Sequence, residues 1–331
     1  ATSPRMKRIS SSISFTICGC AMSKKPSSAA VITAGAPAKI NLGLRVLGKR
    51  PDGYHNLLSL MVPVSLYDEL RVELGSRGVE LRCPNSDLPT DAENLVYRAA
   101  QLVLDVCQRD EGVRIELKKG IPVGAGLGGG SSDAATTLLT VNQLLDSPLA
   151  VPDLHPLAVR LGADVPFFLL GRWAVAEGIG DRLTPINNVP IFWTVLIHPH
   201  FQVSTRWAYE NLTLTTSPNE SKFNILGDTS AGEMTTSHQR LLDRRQLTLE
   251  DMLPLLTNDF EPLVFGHYPQ LHDLRKTLLK ADAKAVAMTG SGPTLFGLFH
   301  SEREARAAHD LLCRRDDITS FVAHTLDTRV S

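Results

Sequence analysis

Residues 122–135 read Pro-Val-Gly-Ala-Gly-Leu-Gly-Gly-Gly-Ser-Ser-Asp-Ala-Ala, and no other stretch restricts the fold as tightly. Five glycines fall between Gly124 and Gly130, and two serines follow at once. Glycine permits positive φ and lets a ligand approach the backbone without a Cβ in the way. Ala134, Leu138, Val141 and Leu145 then recur on one helical face, so the glycines feed a helix and are not a flexible linker. A bend of this kind at a helix start turns several N–H groups toward one point, where the helix dipole also favours negative charge. The pattern predicts a phosphate cradle.

Two better-known cradles do not fit. Gly124 and Gly129 have the spacing of the Walker loop, but Gly130 stands where its lysine belongs. Gly124, Gly126 and Gly129 match G-x-G-x-x-G formally, yet that fingerprint needs a buried strand before it and an acid ending a second strand. Val113–Lys118 alternates apolar and charged residues, the pattern of a half-exposed antiparallel strand. Asp146 has about the right offset but ends the helix.

Four further segments carry chemistry: Ala36-Pro37-Ala38-Lys39-Ile40-Asn41-Leu42-Gly43, Gly48-Lys49-Arg50-Pro51-Asp52-Gly53-Tyr54-His55, Gly162-Ala163-Asp164-Val165-Pro166 and Ala287-Met288-Thr289-Gly290-Ser291-Gly292-Pro293. With the glycine loop and Asn258-Asp259-Phe260-Glu261-Pro262, their order over residues 33–325 resembles the GHMP kinases, ATP-dependent kinases of small molecules. The Tyr54-His55 segment is similar to that of the branch whose acceptor is a cytidyl diphosphate-linked polyol. The resemblance implies transfer of a phosphoryl group to the 2-hydroxyl of that polyol, in the non-mevalonate route to isoprenoid precursors. A mevalonate- or homoserine-type kinase and a catalytically silent nucleotide-binding module are the alternatives. The first offers no cytosine to Tyr54-His55, and the second has no need of both Lys39 and Asp164.

The same resemblance distributes roles. Pro122, Gly124, Gly126, Gly128, Gly129, Gly130, Ser131 and Ser132 cradle the phosphates of ATP, with either serine hydroxyl available to Mg²⁺. Asn94, Leu95 and Lys119 lie near the adenine. Tyr54, His55 and Tyr209 hold the cytosine, Asn41 and Thr205 bind the acceptor, and Gly290, Ser291 and Gly292 approach it closely. Asp164, with apolar neighbours that shield it from water, takes the proton from the acceptor hydroxyl. Lys39, embedded among Ala36, Ala38, Ile40 and Leu42, pairs with it, because buried charges are tolerated when paired. Asp133 would repel a triphosphate, so it is expected to turn away and cap the helix.

The chain has 331 residues, 43% hydrophobic and 21% charged, with a net charge of −1. That length suits two domains, and the charge offers no electrostatic attraction for nucleic acid or anionic membranes. Cys18, Cys20, Cys83, Cys107 and Cys313 form no C-x-x-C pair, which argues against zinc and disulfides. His198-Pro199-His200 lacks a third ligand, so no resident metal is expected. Residues 1–30 hold eight serines, five basic residues and no acid. They read as a disordered leader, which leaves bacterial cytoplasm as the location, or plastid stroma if they are a transit peptide. The expected fold is α+β in two lobes, an ATP-binding domain over 31–185 and a ferredoxin-like one over 186–331, forming a monomer or weak homodimer. Strands are expected as a pair within Val31–Val46 and at 70–74, 79–81, 113–117, 195–198, 285–288 and 295–299. Helices are expected at 94–107, 132–145, 155–161, 205–212, 271–281 and 302–314, and the polar 213–247 stretch reads as a long mobile insertion.

Overall fold

The computed structural model describes residues 30–146, 149–213 and 247–326. The leader and nearly all of the 213–247 insertion lie outside them. The described strands are β1 (Val31–Lys49), β2 (His55–Gly75), β3 (Val79–Arg82), β4 (Gly112–Lys118), β5 (Ala174–Gly178), β6 (Arg182–Pro185), β7 (Trp193–Pro199), β8 (Thr257–Asn258), β9 (Ala285–Met288), β10 (Leu295–Phe299) and β11 (Ile318–His324). The first sheet runs β3-β4-β2-β1-β8, with β5 on the far end of β2 and β6 beside it. The second runs β11-β7-β10-β9 and is antiparallel throughout. The elements therefore form two lobes of mixed α and β structure.

Residues Val31–Val46 are not a pair of strands but most of one strand, 19 residues long. Its partner is β2, reached through the turn at Pro51-Asp52-Gly53. Three register shifts interrupt the pairing, between Pro37 and Ala38, Asn41 and Gly43, and Val46 and Gly48. Such irregularities bend and twist a long strand locally. Ala36 therefore joins the core under the helices of the first lobe, Ala38, Ile40 and Leu42 join the core between the sheets, and Leu44 and Val46 join the core of the second lobe. Lys39 and Asn41, opposite Ile40 and Leu42, are left facing the glycine loop. β4 is antiparallel to β2, as its alternation predicts, but parallel to β3, so the first sheet is mixed.

Helices α1 (Leu95–Val106), α2 (Gly129–Leu144), α3 (Val151–Leu161) and α4 (Val165–Leu170) cover that sheet. α2 begins three residues before the start expected at 132, because Gly128, at φ 72°, forms its N-cap. Most of α2 is buried, and its threonines are satisfied locally: Thr137 donates to the Asp133 carbonyl and Thr140 to that of Thr136. The second lobe is a strand, helix, hairpin, helix and strand in the ferredoxin-like arrangement. Helix Gln270–Lys280 buries Leu271, Leu274 and Leu278 on its sheet, each contributing about 1.5–3 kcal/mol. Helix Glu302–Leu312 buries Ala305, Ala308 and Leu312, and Ser301 caps it by accepting from the Glu304 N–H. Strands β5, β6 and β11 and the short helices within 249–267 carry no clear period in the sequence.

Candidate active site

A cleft of about 1030 Å³ is lined by β1 and β2 and by the segments following β7, β8 and β9. Its walls include nearly every residue expected there: Lys39, Asn41, Tyr54, His55, Asn94, Leu95, Lys119, Pro122, Gly124, Gly126, Gly128, Gly129, Gly130, Ser131, Asp164, Thr205, Tyr209, Gly290 and Ser291. Ser132 and Gly292 are the exceptions. Ser132 is fully buried on the inner face of α2, so its hydroxyl is no part of the cleft wall. Gly292, at φ 86°, shapes the turn instead: its N–H donates to the Thr289 carbonyl, and a Cβ there would press on the Met288 sulfur.

The glycine loop is held from both lobes. The Lys39 N–H donates to the Leu127 carbonyl at 2.9 Å, which ties the loop to β1. Gly126 sits at φ 76°, and a Cβ on it would collide with the Thr289 carbonyl. The loop therefore packs against the β9–β10 turn through bare backbone. With Gly128 as the N-cap, the first N–H groups of α2 lack helical partners and open toward the cleft. This is the arrangement that binds phosphate.

Asp133 does not cap α2; it is buried and forms an ion pair with Lys119 at 2.6 Å. Lys119 also pairs with Asp68, which is fully buried on β2. Asp68 in turn accepts from the Gly120 N–H at 2.7 Å and the Ile121 N–H at 2.8 Å, fixing the backbone just before the loop. Burial lowers the Lys119 pKa, but the charges of Asp133 and Asp68 more than reverse it. Burial pushes Asp133 up to about 8, against the opposing pull of Lys119. The Lys119 ammonium, expected beside the adenine, is thus engaged by two carboxylates. Asn94 caps α1, accepting from the Val96 N–H and donating to the Pro89 carbonyl.

Lys39 and Asp164 approach to 3.8 Å, with side chains 5% and 38% exposed. Asp164 is therefore more open than its apolar neighbours suggest: its carboxylate faces the cleft. It starts α4 without making a side-chain cap bond. Burial lowers the Lys39 pKa and the Asp164 charge opposes this. The Lys39 ammonium donates to Asn41 Oδ1 at 2.6 Å. That oxygen also accepts from the Gly290 N–H at 3.0 Å, while Asn41 Nδ2 donates to Ser59 Oγ at 2.7 Å. Thr289 Oγ1 accepts from the Asn41 N–H and lies 3.2 Å from the Gly126 carbonyl. Asn41 is a buried hub between the ion pair and the Gly290 turn.

At the other end, Tyr54 is 60% exposed on the β1–β2 turn. His55 stacks on Tyr209 with ring centroids 5.1 Å apart, and Tyr209 meets Phe260 edge-on at 4.8 Å. Thr205 Oγ1 shares a hydrogen bond with Ser291 Oγ at 2.9 Å. Burial and the nearby Lys49 charge lower the His55 pKa, so the ring is neutral near pH 7 and can both donate and accept. Burial, with the Asp164 charge, pushes Tyr209 up to about 12 and keeps it a phenol.

Asp68, Ser59 and the β5–β6 turn, where Ile179 and Gly180 line the cleft, escape sequence reasoning, while Thr289 and Asn258 stand in segments it singled out without giving them a role. Asp68 had a signal. It shares its parity along the strand with Leu70 and Val72, both buried, and a charge on a buried parity calls for a partner.

The GHMP kinases N terminal domain family matches residues 94–172, and the GHMP kinases C terminal family matches 239–316. A 4-diphosphocytidyl-2-C-methyl-D-erythritol kinase of Citrifermentans bemidjiense is 45% identical over 274 residues, 82% of this chain and 91% of that protein. The chain belongs to this kinase family. The family's representative from Syntrophus aciditrophicus is 42% identical over 88% of this chain and 98% of its own length. A crystal structure of a 4-(cytidine 5'-diphospho)-2C-methyl-D-erythritol kinase superposes with TM-score 0.72 at 37% identity, covering 89% of this chain and 100% of that one. Homoserine kinase from Cytophaga hutchinsonii, at 22% identity and TM-score 0.67 over 93% of this chain and 97% of that one, shares the fold. Among the described residues, no helix of this family member is long and apolar enough to cross a membrane.

Proposed function

We propose that the protein transfers the γ-phosphoryl group of ATP to the 2-hydroxyl of 4-diphosphocytidyl-2-C-methyl-D-erythritol. The observation that carries this reading is the position of the Lys39–Asp164 pair. It stands in one cleft with the glycine loop and the Tyr54, His55 and Tyr209 rings.

The Asp164 carboxylate accepts the proton of the acceptor hydroxyl as its oxygen attacks the γ-phosphorus. The bond to the bridging oxygen breaks, and ADP carries away that electron pair. Lys39 stabilises the charge that builds on the transferring group and stands 3.8 Å from the Asp164 carboxylate. The N–H groups of the glycine loop and of the α2 start hold the phosphates, and Tyr54, His55 and Tyr209 hold the cytosine. Of the two loop serines, Ser131 is the one on the cleft wall. It would contribute a hydroxyl to Mg²⁺ arriving on the nucleotide, and that ion supplies charge neutralisation.

The test is ADP release from ATP and Mg²⁺ with the cytidyl polyol, mevalonate and homoserine offered separately. Turnover with the cytidyl compound alone is expected. Turnover with another acceptor would discard the cytosine site, and ATP binding without turnover would leave a silent nucleotide-binding module.

A further inference from the structure

The segment Asn258-Asp259-Phe260-Glu261 lies outside the mechanism above, yet its side chains bond to several segments that stand behind the acceptor half of the cleft. Asn258 is buried at the end of β8, which pairs with β1 at Gly43 and Leu44. Its Nδ2 donates to two carbonyls, Met288 and Gly290, each at 2.8 Å. Its Oδ1 accepts from the Phe260 N–H at 3.0 Å. Asp259 accepts from the Val46 N–H at 2.8 Å, and its own N–H donates to the Leu44 carbonyl. The Phe260 ring supports Tyr209 edge-on. Glu261 accepts from the Met288 N–H at 2.7 Å and pairs with Arg275.

We infer that this turn is the positioning element for the acceptor, with Asn258 as its key residue. Two of the cleft's acceptor-side walls, the Gly290 turn and the Tyr209 ring, have no shared secondary structure. The turn at 258–261 touches both, alongside the direct Thr205–Ser291 hydrogen bond. Asn258 has all of its oxygen and both of its N–H groups committed, so it reaches the substrate only through Gly290. Opposite it, Asn41 Oδ1 takes the Gly290 N–H. Two side-chain amides thus grip one residue, Asn41 by its N–H and Asn258 by its carbonyl, and Gly290 and Ser291 present a fixed surface to the cleft. Removing the Asn258 amide leaves two buried carbonyls unpaired, a cost that the turn relieves by shifting. The adenine end hangs on Asp68, Lys119 and α1 instead and has no bond to this segment.

This inference rests on the proposed acceptor. It is tested by calorimetric binding of the cytidyl diphosphate polyol and of ADP, separately, to the full chain and to Asn258→Ala, with turnover measured alongside. Asn258→Ala is expected to weaken polyol binding about tenfold and lower turnover, with ADP binding within about twofold of the parent. Phe260→Leu, which keeps the core filled, provides a second reading if Asn258→Ala does not fold. It is expected to weaken the polyol and spare ADP. Equal weakening of both ligands, or of neither, overturns the positioning role. A parent that binds ADP but no cytidyl compound overturns the acceptor assignment itself.

Discussion

The two halves of the cleft are built by different means. At the proposed nucleotide end the cleft surface is backbone, and the ionisable side chains beneath it, Asp68, Lys119 and Asp133, are bonded to one another and to the loop's approach. At the acceptor end the surface is made of rings and of a turn gripped by the Asn41 and Asn258 amides. Phosphate is the same in every nucleotide, and a glycine-lined helix start suffices for it. A cytidyl polyol has a particular shape and a particular set of donors and acceptors, so its recognition needs side chains held by other side chains.

The contrast can be attacked where the halves join. Asp164→Asn removes charge and little shape, and should lower kcat by roughly a thousandfold while both substrates still bind. Near-normal kcat would take the proton-transfer role away from Asp164. Gly126→Ala places a methyl group against the Thr289 carbonyl, at a φ that disfavours alanine. It is the contact the halves share, so kcat/KM should fall by roughly a hundredfold for both substrates. A loss confined to ATP would mean that the halves are independent. Tyr54→Ala should raise KM for the cytidyl compound about fivefold with kcat nearly kept, since stacking holds ground and transition states alike. A raised KM for ATP alone would exchange the two ends.

The smallest effect concerns the charges under the loop. Below about pH 8 the folded chain keeps a proton on Asp133 that the unfolded chain, at an ordinary 3.8, has released, and the charged pair with Lys119 is complete only above that pH. Stability therefore falls as pH rises from about 4 to about 8 and levels off above that. Asp133→Asn cannot titrate, so the drop in Tm between about pH 5 and pH 8 should shrink. An unchanged drop would place the responsible group elsewhere.

The same contrast governs how much could be read beforehand. The glycine loop, Lys39 and Asp164 are legible because a backbone cradle requires glycines in one short run and because charges amid apolar residues demand partners. The α+β layering follows from Ala134–Leu145, Leu271–Ala281 and the 285–299 hairpin, whose periods are clear. Asp133 was misread because its partner Lys119 is held in place by Asp68, which lies 65 positions before Asp133 in the chain. The bulges of β1 were missed because alternation alone implies an unbroken register, whereas the strand has to serve three cores in turn. Asn41, Asn258 and Thr289 form one network, yet Asn41 and Thr289 are 248 residues apart and no local period links them.

That separation bears on how the protein comes into being. A nascent chain that has emerged through α4 already holds Lys39, the glycine loop and Asp164. It lacks Thr289 against Gly126, Gly290 against Asn41, and Tyr209 beside His55. These closures span most of the chain and are the late, entropically costly ones. The reactive pair is therefore made early and given its working surroundings last. On the proposed function, an incomplete chain on the ribosome carries the parts for handling ATP without the surface that delivers an alcohol to it.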